Sequence, residues 1–511
     1  MPDFEQYLRD RTLVLLSNRE PYEHVAPKDG ADGAPDGAPE LRRPPGGLVS
    51  ALDPTLQRTH GTWVAWGSGS ADRDAAGDDG RVGVPPEDPH YTLRRVWLTD
   101  EDVEGYYQGF ANSALWPLCH MLLQHYHYRE EFWTRYRDVN ARFADAAAEE
   151  AARAPGAPVV WVQDYHFALA PRMLRGRLAA RAPDAAARAF VHQFWHIPFP
   201  APDLFNLLPT EIHAELLLGM LGNDLLEFHT ERYAMNFMDC VAAFVPDAVV
   251  RREHRLVRHE GHETRVGAFP ISIDVDHYEG LARAAEERVA ELRARYAGDG
   301  RCLAVSVDRV DYTKGIPERL RALDQLFDDA PELRGCLTTL LVATPSRSEL
   351  ASYQALEQEV LDGVAALNAR WGTAEWTPIV LEHRNVPAAE LAAMYRAADL
   401  CLVSSLQDGM NLVAKEFVAC QVDERGVLLL SRLTGAAEEI EGAVLINPFN
   451  VDAFAGAIRE ALAMPLEERR RRMRAMRAAL RQATIFDWLE GVLARVDELA
   501  PAPAVPGAGR A

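Results

Sequence analysis

Residues 302–320, CLAVSVDRVDYTKGIPERL, contain the pattern that decides the fold. The apolar run 302–307 predicts a buried strand, and the polar loop after it leads into a helix that we predict to begin near Pro317. Arg309 and Lys314 lie in this loop, close to the amino end of the predicted helix. Ligands of parallel α/β sheets bind beyond the carboxyl ends of the strands, and helix amino ends favour anions. The two cations therefore predict a diphosphate site; the alternative is that both are surface residues of an ordinary loop.

The same alternation of apolar runs and helical stretches continues through most of the chain. It is typical of parallel sheets covered by helices, so we predict the α/β class. The predicted strands are 12–17, 159–163, 189–195, 224–228, 302–307, 338–343, 400–404 and 427–430, and examples of the predicted helices are 317–327, 356–369 and 388–397.

The length of 511 residues allows two α/β domains, each with its own apolar interior. We place the junction near residues 270–278, where a strand is followed by a very polar helix. The predicted parts are a first domain at 1–272, a second at 273–480, a helix at 481–498 and a disordered tail at 499–511. Two mobile loops are also predicted: 26–45, which is rich in Gly, Pro, Asp and Ala, and 68–79.

Composition excludes several classes of protein. The formal charge is −22, from 54 basic and 76 acidic side chains, and no basic patch is visible, so we expect no nucleic-acid partner. The six cysteines form no C-x-x-C pair and predict buried thiols in a reducing compartment. Without a signal peptide or an apolar run of about 20 residues, the sequence predicts a soluble cytoplasmic protein that does not bind membranes. It leaves the oligomeric state open, including a homo-oligomer.

A second strand-loop-helix stretch lies at 400–417, LCLVSSLQDGMNLVAKEF. Gly409 permits a tight turn, and the helix that follows should begin near Asn411. Acidic residues of this kind bind sugar and ribose hydroxyls in nucleotide folds; the alternative is that Asp408 only caps the helix and that Glu416 is solvated. The candidate donor-site residues of this stretch are Asp408, Gly409, Met410, Asn411, Leu412 and Glu416.

The first half of the chain repeats the pattern with weaker signals. Arg19 follows the first predicted strand, and Gly46 and Gly47 precede a helix, where paired glycines let the backbone approach a phosphate. Asp164 and His196 end two further predicted strands. Each of these residues has an alternative explanation as a purely structural residue.

Two sequence features imitate metal sites. Asp274 and Asp276 form an Asp-x-Asp triplet, but they lie in the predicted linker. His120, His125 and His127 do not share one helical face, and no carboxylate joins them at ligand spacing. We therefore predict that no metal is bound.

The ordered motifs SNR, PPGGL, YYQGFANSALWP, VQDYH, HIPFP, DRVDYTKG, ATPSR and QDGMNLVAKE, between about residues 13 and 488, resemble the retaining trehalose-phosphate synthases and the glucosylglycerol-phosphate synthases. The resemblance implies the GT-B fold, with two Rossmann-like domains facing across a cleft and a last helix that returns to the first domain.

The resemblance also implies site roles. Arg19, Tyr107, Trp116 and Arg347 would hold the acceptor's phosphate, and Asp164 and His196 would line the sugar site, with His196 facing the donor glucose. Gly46, Gly47, Arg309 and Lys314 would hold the donor diphosphate, Asp408 to Leu412 the transferred sugar and phosphates, and Glu416 the ribose. Catalysis would fall to Arg309, Lys314, His196 and Asp408, with the leaving phosphate accepting the proton of the attacking hydroxyl.

The implied activity is transfer of glucose from a nucleoside-diphosphate glucose to glucose 6-phosphate. UDP is the predicted nucleotide, with GDP and ADP open and no cofactor required. Alternatives are glycerol 3-phosphate as acceptor, a pseudo-glycosyltransferase that uses a cyclitol, and a catalytically silent sensor. Glu227 stands where the family usually has Gly, so we expect a carboxylate near a strand end that faces the cleft.

Overall fold

The computed structural model describes residues 4–26, 39–43, 47–347 and 349–501. Gly46, most of the 26–45 loop and residues 502–511 of the predicted tail lie outside these ranges. The chain forms two compact units: the first runs to Phe269 and resumes at Leu489, and the second is Pro270–Trp488.

The strands of the two units are as follows. The first unit contains β1 (Arg11–Leu16), β2 (Glu23–Val25), β3 (Glu40–Arg42), β4 (Thr62–Trp66), β5 (Arg81–Val84), β6 (Tyr91–Val96), β7 (Ala157–Gln163), β8 (Phe190–Trp195), β9 (Leu225–Phe228), β10 (Val249–Arg251), β11 (Leu256–His259) and β12 (His262–Ala268). The second contains β13 (Cys302–Arg309), β14 (Leu337–Thr344), β15 (Ile379–Glu382), β16 (Leu400–Val403), β17 (Val427–Ser431) and β18 (Val444–Ile446).

Helices connect the strands. They are α1 (Gly47–Thr59), α2 (Asp72–Ala75), α3 (Asp100–Asp102), α4 (Trp116–Cys119), α5 (Glu130–Arg153), α6 (Ala170–Arg181), α7 (Pro183–Ala186), α8 (Pro202–Phe205), α9 (Thr210–Met220), α10 (Glu231–Phe244), α11 (Val275–Ala284), α12 (Glu286–Tyr296), α13 (Ile316–Asp329), α14 (Ala351–Trp371), α15 (Ala388–Ala397), α16 (Leu412–Cys420), α17 (Val451–Ala463), α18 (Leu466–Leu480) and α19 (Ile485–Leu499). A π-helix, Val103–Leu115, joins α3 to α4.

The main sheet of the first unit has the order β10-β11-β12-β9-β8-β7-β1-β4-β6-β5. Its central strands are parallel, and the antiparallel pairs β10 with β11, β11 with β12, and β5 with β6 close its ends. From β6 to β9 the central strands follow the chain order 3-2-1-4-5-6, which is that of a Rossmann fold. The order reverses between β1 and β7, where Val14 pairs with Val160. A ligand site is therefore expected beyond the carboxyl ends of these two strands.

The sheet of the second unit has the order β15-β14-β13-β16-β17-β18, and all of its described pairs are parallel. This is again the order 3-2-1-4-5-6, and it reverses between β13 and β16, where Val305 pairs with Cys401. The loops after these two strands are the stretches that the sequence analysis selected for the donor.

The α/β prediction is confirmed. All eight predicted strands are present with ends within two residues, because buried parallel strands are continuous apolar runs. The predicted loop at 68–79 is wrong in part, since α2 lies inside it and Asp72 is completely buried. The cysteine prediction is wrong for Cys336, which is exposed, whereas Cys119, Cys240, Cys401 and Cys420 are buried.

Among the helices formed by the described residues, none combines the length and the apolar character needed to cross a membrane.

Candidate active site

The loops after β13 and β16 bring Lys314 and Asp408 into contact. The Lys314 Nζ lies 2.6 Å from Asp408 Oδ2, and each side chain is 14% exposed. Asn411 Nδ2 and the Ser405 hydroxyl also donate to Asp408 Oδ2, at 3.1 and 3.3 Å. The structure thus joins two residues that were selected from separate motifs of the sequence, and both side chains remain partly open to solvent.

Helix α16 is capped by Asn411. Its Oδ1 accepts from the Ala414 N–H at 3.0 Å, and its backbone has a φ of +90°. The alternative that Asp408 merely caps this helix is therefore wrong. The amino end of α16 points to the carboxyl edge of the sheet, where it favours an anionic ligand.

Arg319 ties the two loops together, and sequence analysis missed it. Its side chain is almost fully buried and donates to Ser404 Oγ at 3.0 Å, to Asp308 Oδ2 at 2.7 Å and to the Lys314 carbonyl at 3.4 Å. The Ser404 hydroxyl in turn donates to the Gly315 carbonyl at 2.9 Å. Arg319 lies on the apolar face of α13, three residues after the buried Ile316. A cation on an apolar helix face is unusual, and this was the signal in the sequence that could have identified Arg319.

Arg309 and Arg347 flank one buried carboxylate, that of Asp311. Arg347 Nη1 lies 3.2 Å from Asp311 Oδ2, and the Arg347 side chain is only 8% exposed. Burial alone would raise the pKa of Asp311, but the charges of Arg347 and Arg309 lower this pKa to about 2. Arg309 ends β13, and its side chain forms no hydrogen bond or ion pair within the described part of the chain, so its guanidinium is available to a ligand.

Glu416 is held by two tyrosines. The hydroxyl groups of Tyr278 and Tyr395 donate to its two carboxylate oxygens, each at 3.0 Å, and burial raises its pKa. The alternative that Glu416 is a solvated surface residue is wrong. Each oxygen retains a lone pair for a further donor such as a ribose hydroxyl.

In the first unit, Arg19 lies in the loop after β1 and is exposed. The loop is fixed at the arginine and just before it: the Ser17 hydroxyl donates to the Arg19 carbonyl at 2.5 Å, and the Tyr106 hydroxyl donates to Asn18 Oδ1 at 2.9 Å. The backbone of Arg19 is therefore held while its guanidinium extends into solvent, as a phosphate ligand requires.

Tyr107 and Trp116 lie on the π-helix and on α4. The Tyr107 ring stacks on His166, with centroids 5.8 Å apart and 14° between the planes. The Trp116 side chain is 6% exposed and packs on His120 at 4.1 Å and on Tyr165 at 5.8 Å. Tyr107 is half-buried and Trp116 is mainly a packing residue, and their acceptor roles stay predictions.

Asp164 and His196 are joined directly at the ends of β7 and β8. Asp164 Oδ1 accepts from the N–H groups of Tyr165 and His196, at 2.9 and 3.0 Å. The His196 ring contacts Gln163 Oε1 at 2.9 Å and His229 Nε2 at 3.3 Å. Burial lowers the pKa of His196 to about 3, so the imidazole is neutral and suits hydrogen bonding to a sugar hydroxyl.

A buried charge cluster, formed by Glu20, His24, Asp72 and Arg95, supports the loop that carries Arg19. Arg95 is completely buried; it donates to Glu20 Oε2 at 2.7 Å and to the Tyr22 carbonyl at 2.9 Å, and it forms an ion pair with Asp72 Oδ1 at 2.8 Å. Burial and the adjacent Asp72 raise the pKa of Glu20 to about 8. Burial lowers the pKa of His24 and keeps its ring uncharged. With one proton shared by the two carboxylates, the remaining negative charge balances that of Arg95, and the cluster is neutral.

This pKa predicts a pH effect on stability. The raised pKa means that folding favours protonated Glu20, so its contribution is full below about pH 4.5 and is lost as the pH rises to about 8. We expect Glu20→Gln to remove this loss, so the free energy of unfolding of the variant should rise relative to that of the wild type across the interval, by at most about 1.4 kcal/mol per pH unit. Thermal unfolding from pH 5 to 8, with the exposed Glu87→Gln as control, measures it; parallel curves would contradict the assignment.

The residues that imitate metal sites have structural roles. Asp274 Oδ1 caps α11 by accepting from the His277 N–H at 2.9 Å. His120 is buried, and its Nδ1 lies 2.7 Å from the Trp116 carbonyl. In the ranges that the structure describes, no group of three or more His, Cys, Asp or Glu side chains is arranged to hold a metal ion.

The expectation for Glu227 is wrong. Its side chain is completely buried in β9, where its Oε2 lies 3.0 Å from His192 Nε2 and its Oε1 contacts Arg495 of α19. The Glu227 side chain can extend toward α19 because its pairing partner in β12 is Gly267, which has no side chain. A Cβ atom at residue 267 would lie only 3.1 Å from Glu227 Oε1. Glu227 therefore fixes the last helix to the first unit.

Comparison with known proteins identifies the family. Residues 11–498 match the model of glycosyltransferase family 20. The trehalose-6-phosphate synthase of Mycolicibacterium vanbaalenii is 40% identical over 508 residues, which cover 97% of each chain.

Solved structures are similar over nearly the whole chain. The UDP-forming α,α-trehalose-phosphate synthase of Burkholderia xenovorans, in complex with glucose 6-phosphate, has a TM-score of 0.79 and 31% identity, over 95% of this chain and 99% of that one. A structure from E. coli bound with UDP-2-fluoro glucose has a TM-score of 0.80 and 29% identity, over 96% and 100% of the two chains. The predicted GT-B class is confirmed by these matches.

Proposed function

Because the chain belongs to glycosyltransferase family 20, we propose that it is a retaining glycosyltransferase that transfers glucose from UDP-glucose to glucose 6-phosphate and forms α,α-trehalose 6-phosphate. The observation that carries the proposal is the contact between Lys314 and Asp408 at the switch point of the second sheet, with Arg309 at the end of the adjacent strand. This is where a Rossmann sheet binds a nucleotide.

The donor is assigned to the second unit. Arg309 and Lys314 would bind the diphosphate, and the amino end of α16, from Asn411, would add backbone N–H groups. Asp408 would accept hydrogen bonds from glucose hydroxyls and Glu416 from the ribose. UDP is preferred because the similar structure from E. coli is bound with UDP-2-fluoro glucose.

The acceptor's phosphate is assigned to Arg19 and Arg347, with Tyr107 and Trp116 beside it and Asp164 at the sugar. Glucose 6-phosphate is preferred to glycerol 3-phosphate because it is the ligand of the similar structure from Burkholderia xenovorans. His196, held neutral by burial, would donate to or accept from a hydroxyl of the donor glucose.

The chemistry proposed is attack from the face of the departing phosphate. The bond between glucose C1 and the diphosphate oxygen breaks, the acceptor hydroxyl oxygen bonds to C1 on the same face, and its proton passes to the leaving phosphate. Arg309 and Lys314 stabilise the charge that grows on the diphosphate, which is the work a metal would otherwise do. Asp408 is occupied by Lys314 and is assigned no covalent role. A cytoplasmic location and the oligomeric state remain predictions.

A product assay tests the proposal. Purified protein would be incubated without added metal with UDP-, GDP- or ADP-glucose and with glucose 6-phosphate or glycerol 3-phosphate. We expect trehalose 6-phosphate, with UDP-glucose the best donor. Product only from glycerol 3-phosphate would replace the acceptor assignment, and no product from any pair would favour a cyclitol substrate or a silent sensor.

Arg347→Ala is expected to separate the two substrates. Loss of a charge-assisted hydrogen bond should raise the KM for glucose 6-phosphate on the order of ten- to a hundredfold, while the KM for UDP-glucose changes by less than about threefold. Steady-state kinetics measure both values. Arg384→Ala is the control, because Arg384 follows β15 at the same edge of the sheet but is paired with Glu382 and Glu390. Equal losses for the two substrates would refute the assignment.

A further inference from the structure

Asp311 is a completely buried carboxylate between the residues assigned to the two substrates. Its Oδ1 accepts from the Thr313 N–H at 3.0 Å and from the Thr313 hydroxyl at 2.9 Å. These bonds fix the turn Tyr312–Lys314, which presents the donor lysine. The other oxygen, Oδ2, accepts from Arg347 Nη1 at 3.2 Å. One carboxylate thus fixes a donor-side turn with one oxygen and an acceptor-side arginine with the other.

Arg347 depends on this contact for its conformation. Its φ is +50°, a left-handed backbone conformation that residues other than glycine adopt only where neighbouring groups hold them. Tyr353 supplies the second restraint: its hydroxyl contacts Arg347 Nη1 and donates to Asp311 Oδ2 at 3.1 Å, and its ring lies 5.4 Å from the guanidinium carbon. The arginine is therefore aimed by a carboxylate and a phenol that solvent does not reach.

The positively charged side chains near Asp311 also need its negative charge. Arg309, Lys314 and Arg347 all lower the pKa of this carboxyl, which places three cations around one buried anion. Without the anion the cations would repel each other in a region of low dielectric constant. The ionised Asp311 therefore offsets the repulsion among these cations before any substrate arrives.

We infer that Asp311 is a positioning residue that aligns the acceptor arginine, Arg347, with the donor turn that ends at Lys314. The inference rests on the proposed function and deepens it, because it identifies what links the two phosphate sites within the second unit. Asp311 touches no substrate itself, since its side chain is buried, and it acts on the acceptor through Arg347.

The test is a double-mutant cycle. Asp311→Asn keeps the shape of the side chain and removes the charge that holds Arg347. We expect the KM for glucose 6-phosphate to rise on the order of tenfold, the cost of one charge-assisted hydrogen bond, with a change of less than about threefold in the KM for UDP-glucose. In an Arg347→Ala background the same substitution should leave the acceptor KM unchanged, because the residue through which Asp311 acts is gone.

Two further variants keep the result decisive. Asp324→Asn, at a half-buried position of α13 where the carboxylate pairs with Arg370, is the control for loss of one carboxylate from the same unit. Tyr353→Phe keeps the ring but removes the hydroxyl that contacts both Arg347 and Asp311, and it should raise the acceptor KM a few-fold even if Asp311→Asn does not fold.

Equal effects of Asp311→Asn with and without Arg347, or an acceptor KM that neither Asp311→Asn nor Tyr353→Phe changes, would overturn the inference. A wild-type enzyme that forms no trehalose 6-phosphate would instead overturn the proposed function, so the two failures are distinguishable.

Discussion

Arg309→Ala is expected to lower kcat by about a hundredfold or more, with a much smaller change in the KM for either substrate. Arg309 ends β13, and its side chain forms no hydrogen bond or ion pair within the described part of the chain, so its charge can act on the departing diphosphate. That charge grows only as the bond to glucose breaks. The stabilisation of this charge by Arg309 therefore raises kcat and has little effect on the binding of either substrate.

Single-turnover and steady-state rates of trehalose 6-phosphate formation measure this effect. Arg301→Ala is a matched control, because Arg301 immediately precedes β13 and so lies at the opposite end of the same strand, where it donates to the Glu375 carbonyl at 3.4 Å. We expect the control to retain its kcat. Normal turnover of Arg309→Ala would refute the role assigned to the arginine.

Arg95→Met is expected to destabilise the first unit by about 3–5 kcal/mol. The substitution leaves Glu20 and Asp72 without their shared cation in a site that solvent does not reach. It also removes the hydrogen bond to the Tyr22 carbonyl, which helps to hold the loop that carries Arg19. Any folded fraction should therefore bind the acceptor more weakly.

Urea denaturation, monitored by circular dichroism, measures the loss of stability. Arg73→Met is the control, since Arg73 lies next to Asp72 but is exposed, and it should change stability by less than about 0.5 kcal/mol. An Arg95→Met protein as stable as the control would show that the cluster contributes little.

Prediction from the sequence succeeded where a strand is apolar along its whole length. Strand β7, which is buried at every residue, was found in this way. Strand β6 was not, because its sequence YTLRRV contains two adjacent arginines. Arg95 is buried there only because Glu20, 75 residues earlier in the chain, meets it in the folded protein. Such a pairing has no local signal.

The candidate site shows the same division. Lys314 and Asp408 could be selected because each follows an apolar run and precedes a helix. Arg319 could have been noticed as a cation on the apolar face of α13, but the roles of Arg319 and Asp311 depend on contacts with Ser404 and Arg347, which other strands bring to them. Glu227 was misplaced for a related reason: its partner Arg495 lies 268 residues away.

The hydrogen bonds of Arg319 have a thermodynamic consequence for the two loops that it joins. The loops that carry Lys314 and Asp408 become ordered when the second unit folds, and not when a nucleotide arrives. The conformational entropy of these loops is therefore lost during folding, and it does not weaken the association with the donor. A nucleotide that meets this surface loses mainly its own freedom.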